Sequence, residues 1–234
     1  MIHSKRTKIV ATVGPACSNE ETLLAMVNAG VNVFRINFSH GSHDAHGKVI
    51  DMIHKINKKN NRTIAILADL QGPKIRVGQI ENNAANLEPG KDFTISTKAT
   101  VGNDNVASIS YQELPRDVHA GEKILLDDGK IELIVKETNK KDTVLTEVVY
   151  GGILSSNKGV NLPNTRISQP SLTAKDKEDL DFALSKGVHW VALSFVRSAT
   201  DVYELKKIIR KKNSNAKVIA KVEKPEAIKD LDNI

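Results

Sequence analysis

Three short stretches carry side chains suited to phosphate or enolate chemistry. The first is Phe34-Arg-Ile-Asn-Phe-Ser-His-Gly41. Alternate side chains of a strand share a face, so Arg35, Asn37 and Ser39 are expected together, with Phe34, Ile36 and Phe38 opposite. A buried parallel strand is normally apolar on both faces, so three polar groups near its C-terminal end mark a candidate site. The plainer alternative is a structural ion pair at Arg35 and a turn cap at Asn37. The second stretch starts at Asp69 and continues as Leu70-Gln-Gly-Pro-Lys-Ile-Arg76. The Asp69 carboxylate can pair with Arg35 or join other oxygens around a hard cation, and equally reads as a turn former. The third is Ala220-Lys-Val-Glu-Lys-Pro-Glu226, where Lys221 and Glu223 stand two apart and are expected to point the same way. An ammonium there neutralises a transferring phosphoryl group or an enolate oxygen, and a glutamate suits Mg²⁺. A simple Lys221–Glu223 ion pair is the competing reading.

Weaker signals surround these. His40, His43 and His46 recur at a spacing of three, but they cross from loop into helix and no Cys or acidic set completes a tetrahedral zinc site. Lys158, in Lys-Gly-Val-Asn-Leu-Pro163, can meet a phosphate or simply be solvated. Nothing around Cys17 points to an activated thiol.

The elements that must position these groups follow from period and punctuation. Apolar β-branched runs at 7–14, 31–38 and 63–69 alternate with helical patterns opened by Ser18-Asn19 and by Ser42, the second reaching about Asn57. This rhythm predicts parallel strands. From about Lys74 to Ser168 helix signals vanish, and turns such as Asp127-Asp-Gly129 separate short strands of an all-β insertion. Alternation resumes with a helix capped by Thr173 and Asp176, a strand at 188–195, a helix at 199–212, a strand at 217–223 and a helix begun by Pro225. Five such strands leave an open α/β sheet or a truncated barrel, because a closed (β/α)₈ barrel needs eight.

Composition bounds the rest. The 234 residues are 40% hydrophobic and 26% charged, which is ordinary for a globular chain. No run reaches the roughly 20 apolar residues of a membrane helix. The N-terminal segment has a basic start without an apolar core, so no secretory signal is expected there. One cysteine suits a reducing cytoplasm. The net charge of +6 comes from scattered lysines and arginines, and with 4% aromatics there is little surface for stacking bases. Neither a nucleic-acid nor a membrane partner is expected.

Taken in order, Thr7-Lys-Ile-Val-Ala-Thr-Val-Gly-Pro15, the stretch 32–41, the stretch 69–76, Lys158–Pro163, Leu193-Ser-Phe-Val-Arg197 and the stretch 220–226 closely resemble the N-terminal half of pyruvate kinase. The resemblance implies a truncated (β/α)8 TIM barrel of the α/β class, with 1–72 and 169–234 as barrel and 73–168 as an inserted small all-β barrel domain that closes as a lid. It implies transfer of the phosphoryl group of phosphoenolpyruvate to ADP, giving pyruvate and ATP, in the cytoplasm and in a homotetramer. By resemblance Arg35 and Lys221 are catalytic and, with Phe195, bind substrate. Asn37, Phe38, Ser39, His40, Arg76 and Lys158 meet the nucleotide. Glu223 holds Mg²⁺ or Mn²⁺, and Asn37, Ser39, Asp69 and the Leu70 carbonyl hold K⁺.

Two departures qualify this. Lys74 stands where many members carry a glutamate, so a fixed ammonium is expected to replace K⁺. The family's next strand, which carries a Gly-Asp segment supplying a second metal carboxylate, lies beyond Ile234, so the 234-residue polypeptide alone is expected to be inactive. The alternatives are a non-catalytic phosphate- or nucleotide-binding module and another metal-assisted barrel enzyme acting on an enolate.

Overall fold

The computed structural model describes residues 7–234. The expectation about a secretory signal falls largely on residues 1–6, outside the described residues. In chain order the first elements are β1 (Val10–Thr12), α1 (Glu20–Ala29), β2 (Val33–Asn37), α2 (His43–Asn60) and β3 (Ala65–Asp69). Next come β4 (Ala85–Leu87), β5 (Asp92–Ser96), β6 (Val106–Ser108), α3 (Leu114–Asp117), β7 (Lys123–Leu126), β8 (Ile131–Thr138), β9 (Thr143–Tyr150), β10 (Gly152–Leu154) and β11 (Val160–Asn161). The last are α4 (Ala174–Ser185), β12 (Trp190–Leu193), α5 (Ala199–Lys211), β13 (Lys217–Ala220) and α6 (Pro225–Lys229). No helix among the described residues is long and apolar enough to cross a membrane.

The chain divides into two compact units, one formed by the residues up to Pro73 with Ser171–Ile234, the other by Lys74–Pro170. The first has a mixed α/β fold. Its five strands lie in the order β1-β2-β3-β12-β13 and pair in parallel. Parallel strands in sequential order are what one side of a barrel wall consists of. Phe34, Ile36, Ile66, Ala68, Val191 and Leu193 share a core with Leu23, Ile50, Ile53, Leu180 and Leu205 of the helices. Fully burying Phe34, which is 0% exposed, contributes about 1.5–3 kcal/mol. The alternate positions, Arg35, Asn37 and Asp69, are left to the opposite face.

Local chemistry explains the helix ends. Asn19 accepts from the Thr22 N–H and Ser42 from the Ala45 N–H, so each satisfies an orphan donor of the first turn. α2 runs to Asn60 rather than stopping near Asn57. Its last turn has no apolar period, but Lys58 and Lys59 suit the negative end of the helix, and left-handed Asn61 terminates it. Thr173 and Asp176 form a reciprocal capping box on α4.

In the second unit six strands lie in the order β11-β7-β8-β9-β5-β6, and β4 pairs with β10. β7, β8 and β9 pair antiparallel, whereas β5 and β6 are parallel. Phe93, Ile95, Leu133, Val135, Val144 and Val148 belong to its separate core. The absence of helix signals there needs correcting, because α3 makes one turn with Pro115 in its first positions. Pro near the start of a helix loses no hydrogen bond and presets the backbone, and one turn is too short to show a period.

In the first unit a backbone N–H of β3 donates to a histidine ring. The Ile66 N–H donates to His189 Nδ1 at 3.1 Å, and the His189 N–H donates to the Ile66 carbonyl at 2.9 Å. Burial and the neighbouring His54 imidazole hold the His189 pKa below the ordinary histidine value. Protonating Nδ1 removes the acceptor that Ile66 uses. A depressed folded value contributes stability above the unfolded pKa of about 6.5, lost as pH falls through the folded value. The midpoint of thermal unfolding is therefore expected to fall from pH 7 towards pH 5, and to fall less steeply in His189→Gln. An identical slope in both proteins would remove His189 from the account.

Candidate active site

β2 and β3 stand side by side with Asn37 opposite Asp69 and Arg35 opposite Leu67. That register brings the Arg35 guanidinium to the Asp69 carboxylate, with Nε 2.7 Å and Nη2 2.5 Å from Oδ2. Arg35 Nη1 also donates to Thr12 Oγ1 of β1 at 2.8 Å. Lys221 arrives from beyond β13, with Nζ 3.2 Å from Asp69 Oδ1. Asp69 is 3% exposed, and a carboxylate that buried requires paired charge. Its two cations keep about a third of their side chains accessible, 31% for Arg35 and 30% for Lys221.

Glu223 completes the group. Its Oε1 lies 3.5 Å from Lys221 Nζ, and its Oε2 accepts from the Phe195 N–H at 2.9 Å. A buried carboxylate thus lies against two partly open cations and a half-exposed carboxylate. The set balances its own charge, two cations against two carboxylates, and leaves both cations partly accessible to an anion. The ion pairs named as the plainer alternatives, at Arg35 and between Lys221 and Glu223, are present, and they link the residues singled out for chemistry.

Two placements differ from expectation. Lys221 and Glu223 lie just past the strand, because β12 pairs with β13 only as far as Leu193 opposite Ala220. Close by, Phe195 takes a left-handed backbone, φ 54°, which a strand does not accommodate. Ser39 likewise sits in a turn after β2, not on the strand with Arg35 and Asn37. Its N–H donates to Asn37 Oδ1 at 3.0 Å, a local turn that competes with strand continuation.

That turn is tied down from several sides. Lys175 Nζ donates to the Phe38 carbonyl at 2.9 Å and pairs with Asp179 at 2.6 Å. His43 Nε2 hydrogen-bonds Asp179 Oδ1 at 2.7 Å, and its ring stacks on Phe182. His46 contacts the His40 carbonyl at 2.8 Å, and burial pushes its pKa down despite that bond. His43 and His46 therefore serve the turn, while His40 is exposed.

Gly72, φ +67°, passes against the end of β12, where a Cβ would lie 3.0 Å from the Phe195 ring and 3.1 Å from Ser194 Cβ. Only glycine fits both the conformation and the space. Its N–H donates to the buried Asp176 carboxylate at 3.0 Å. Sequence reasoning gave no part here to Thr12, Ser194 or Lys224, and read Asp176 only as a helix cap. Lys224 is 7% exposed, its ammonium 5.9 Å from the centre of the Phe195 ring, and burial pushes its pKa down. The available signal was polar residues inside apolar surroundings at strand ends.

Arg76 and Lys158 belong to the second unit. Arg76 bridges to Gly159 and donates through Nη1 to the Asn157 carbonyl at 2.6 Å. Lys158 pairs with Asp127 at 2.8 Å, and together with Lys130 it holds the Asp127 carboxyl below the usual range.

The family model described as "Pyruvate kinase, barrel domain" matches residues 4–234. "Pyruvate kinase 2" of Synechocystis sp. is 47% identical over 236 residues, covering 98% of this chain and 39% of that protein. "Pyruvate kinase" of Staphylococcus saprophyticus is 42% identical over 232 residues, covering 98% and 40%. "Pyruvate kinase" of Geobacillus stearothermophilus is 40% identical, again covering 98% and 40%. The chain thus spans about two fifths of the length of these relatives.

Proposed function

The chain belongs to the pyruvate kinase family, and on that premise we propose that its natural protein transfers the phosphoryl group of phosphoenolpyruvate to ADP in glycolysis. The observation that supports this reading is the convergence of Arg35 and Lys221 on Asp69 with Glu223 alongside. In the reaction the bond between phosphorus and the enol oxygen breaks. A bond from phosphorus to a β-phosphate oxygen of ADP forms, and the enolate takes a proton to become pyruvate. Little covalent chemistry is left to the protein, so catalysis is positioning and charge neutralisation. Arg35 presents a planar, permanently charged fork to the phosphoryl oxygens. Lys221 supplies positive charge where the phosphoryl group leaves and the enolate oxygen develops. Phe195 supplies an apolar wall beside the substrate. Asn37, Phe38, Ser39, His40, Arg76 and Lys158 are assigned to the nucleotide.

Glu223 suits Mg²⁺, which takes one or two carboxylates and completes its shell with water and phosphate oxygens. Bound there, the ion would add charge neutralisation to the phosphates. Asn37, Ser39, Asp69 and the Leu70 carbonyl offer the all-oxygen set that K⁺ prefers, although Asp69 is already balanced by Arg35 and Lys221. We assign the cytoplasm and a homotetramer on family grounds.

The deciding experiment is pyruvate formation by the purified natural protein with phosphoenolpyruvate, ADP and Mg²⁺. ADP binding without turnover would favour the binding-module reading. Because Arg35 and Lys221 already balance Asp69, activity in K⁺, Na⁺ and tetramethylammonium is expected to agree within a small factor. A steep loss without K⁺ would return the cation to an obligatory role.

A further inference from the structure

Ser194 follows β12 directly and is 2% exposed. Its Oγ lies 2.8 Å from Lys221 Nζ and 2.6 Å from the Leu70 carbonyl. These contacts fix the direction of each hydrogen bond. An ammonium can only donate and a carbonyl can only accept, so the hydroxyl takes a proton contact from Lys221 and gives its own to Leu70. Asp69 Oδ1, at 3.5 Å, is a poor competitor for that proton. The hydroxyl is held by these two bonds in a buried position.

The carboxylates of Asp69 and Glu223 also lie near the Lys221 ammonium. Each attracts it and spends part of its charge. A neutral hydroxyl holds one N–H without neutralising it. We propose that Ser194 is a positioning residue, which orients Lys221 for the phosphoryl group and links it to the Leu70 carbonyl, an assigned ligand of the monovalent cation. The link crosses three strand ends, since Leu70 follows β3, Ser194 follows β12 and Lys221 follows β13. This inference rests on the phosphotransfer reading for its kinetic consequence and on the contacts alone for its structural one.

The test uses the natural full-length protein and Ser194→Ala, which removes the hydroxyl and little volume. Misplacing a catalytic group by about 1 Å costs on the order of a hundredfold in rate, so kcat is expected to fall about ten- to a hundredfold. KM for phosphoenolpyruvate and ADP should stay within about twofold, because binding by Arg35 is untouched. A kcat near that of the parent in a variant that melts normally would overturn the proposal. A second readout does not depend on turnover. Trinitrobenzenesulfonate labelling, read peptide by peptide, should be slower at Lys221 than at exposed Lys207 in the parent protein. In Ser194→Ala it should accelerate at Lys221 only. Equal rates at the two lysines in the parent would overturn the link even if the variant failed to fold. Parent protein without phosphotransfer activity would overturn the functional reading instead, with the labelling still deciding whether the hydroxyl holds the lysine.

Discussion

Lys221→Met is expected to lower kcat for pyruvate formation by two to three orders of magnitude, on the scale of losing a preorganised group that stabilises transition-state charge. Methionine keeps an unbranched chain of similar length and removes only the ammonium. The fold should tolerate this. Asp69 retains the Arg35 guanidinium at 2.5 Å, and Glu223 retains the Phe195 N–H. Lys221 lies beyond the strand with its side chain 30% exposed, so little packing is lost. Arg35 still meets the phosphoryl group, and KM for phosphoenolpyruvate should move far less than kcat. A loss in kcat with KM nearly unchanged marks an interaction made mainly in the transition state. Steady-state kinetics, with circular dichroism to confirm folding, checks this. Retention of a tenth or more of the parent kcat would remove Lys221 from the reacting centre.

The second large effect concerns stability. Asp176→Ala should destabilise the first unit by about 3 kcal/mol, the scale of removing a buried, multiply bonded carboxylate. Asp176 is 0% exposed. Its Oδ2 accepts from the Thr173 N–H at 2.9 Å and from the Thr173 hydroxyl at 2.5 Å, while Oδ1 accepts from the Gly72 N–H. Alanine leaves the buried Gly72 N–H without a partner and strips the two Thr173 donors of theirs. It also frees the turn after β3, which carries the Leu70 carbonyl. Thr173→Ala, which removes the cap alone, should cost about 1 kcal/mol. Trp190 is the one tryptophan of the chain and sits on β12, so its fluorescence in a urea titration reports this unit. A difference below about 1 kcal/mol between Asp176→Ala and the parent would contradict the role assigned to the Gly72 and Thr173 contacts.

Features governed by near neighbours along the chain were legible in the residues. Asn19, Ser42 and Thr173 cap the helices they precede. Alternation along 33–37 put Phe34 and Ile36 inward and Arg35 and Asn37 outward, as the burial pattern of β2 shows. Where the expectation slipped, a local turn prevailed over the strand pattern, at Ser39 and after Ala220. A strand's end depends on whether its neighbour continues to pair, and that is not written in the strand itself.

The sequence by itself determined which segments of the first unit become strands and helices, which family the chain belongs to, and which polar residues stand near strand ends. Those properties depend on period, capping and motif order within a few residues of one another. Only the tertiary structure decided that Asp69 is shared by Arg35 and Lys221, 34 and 152 positions away, and that Ser194 joins Lys221 to Leu70. It also decided that Asp176 anchors Gly72 and that His189 accepts from Ile66. Each of these partnerships is set by register between elements distant in the chain. A one-residue slip turns every side chain of a strand to its other face, so the partners exist only once the sheet is assembled.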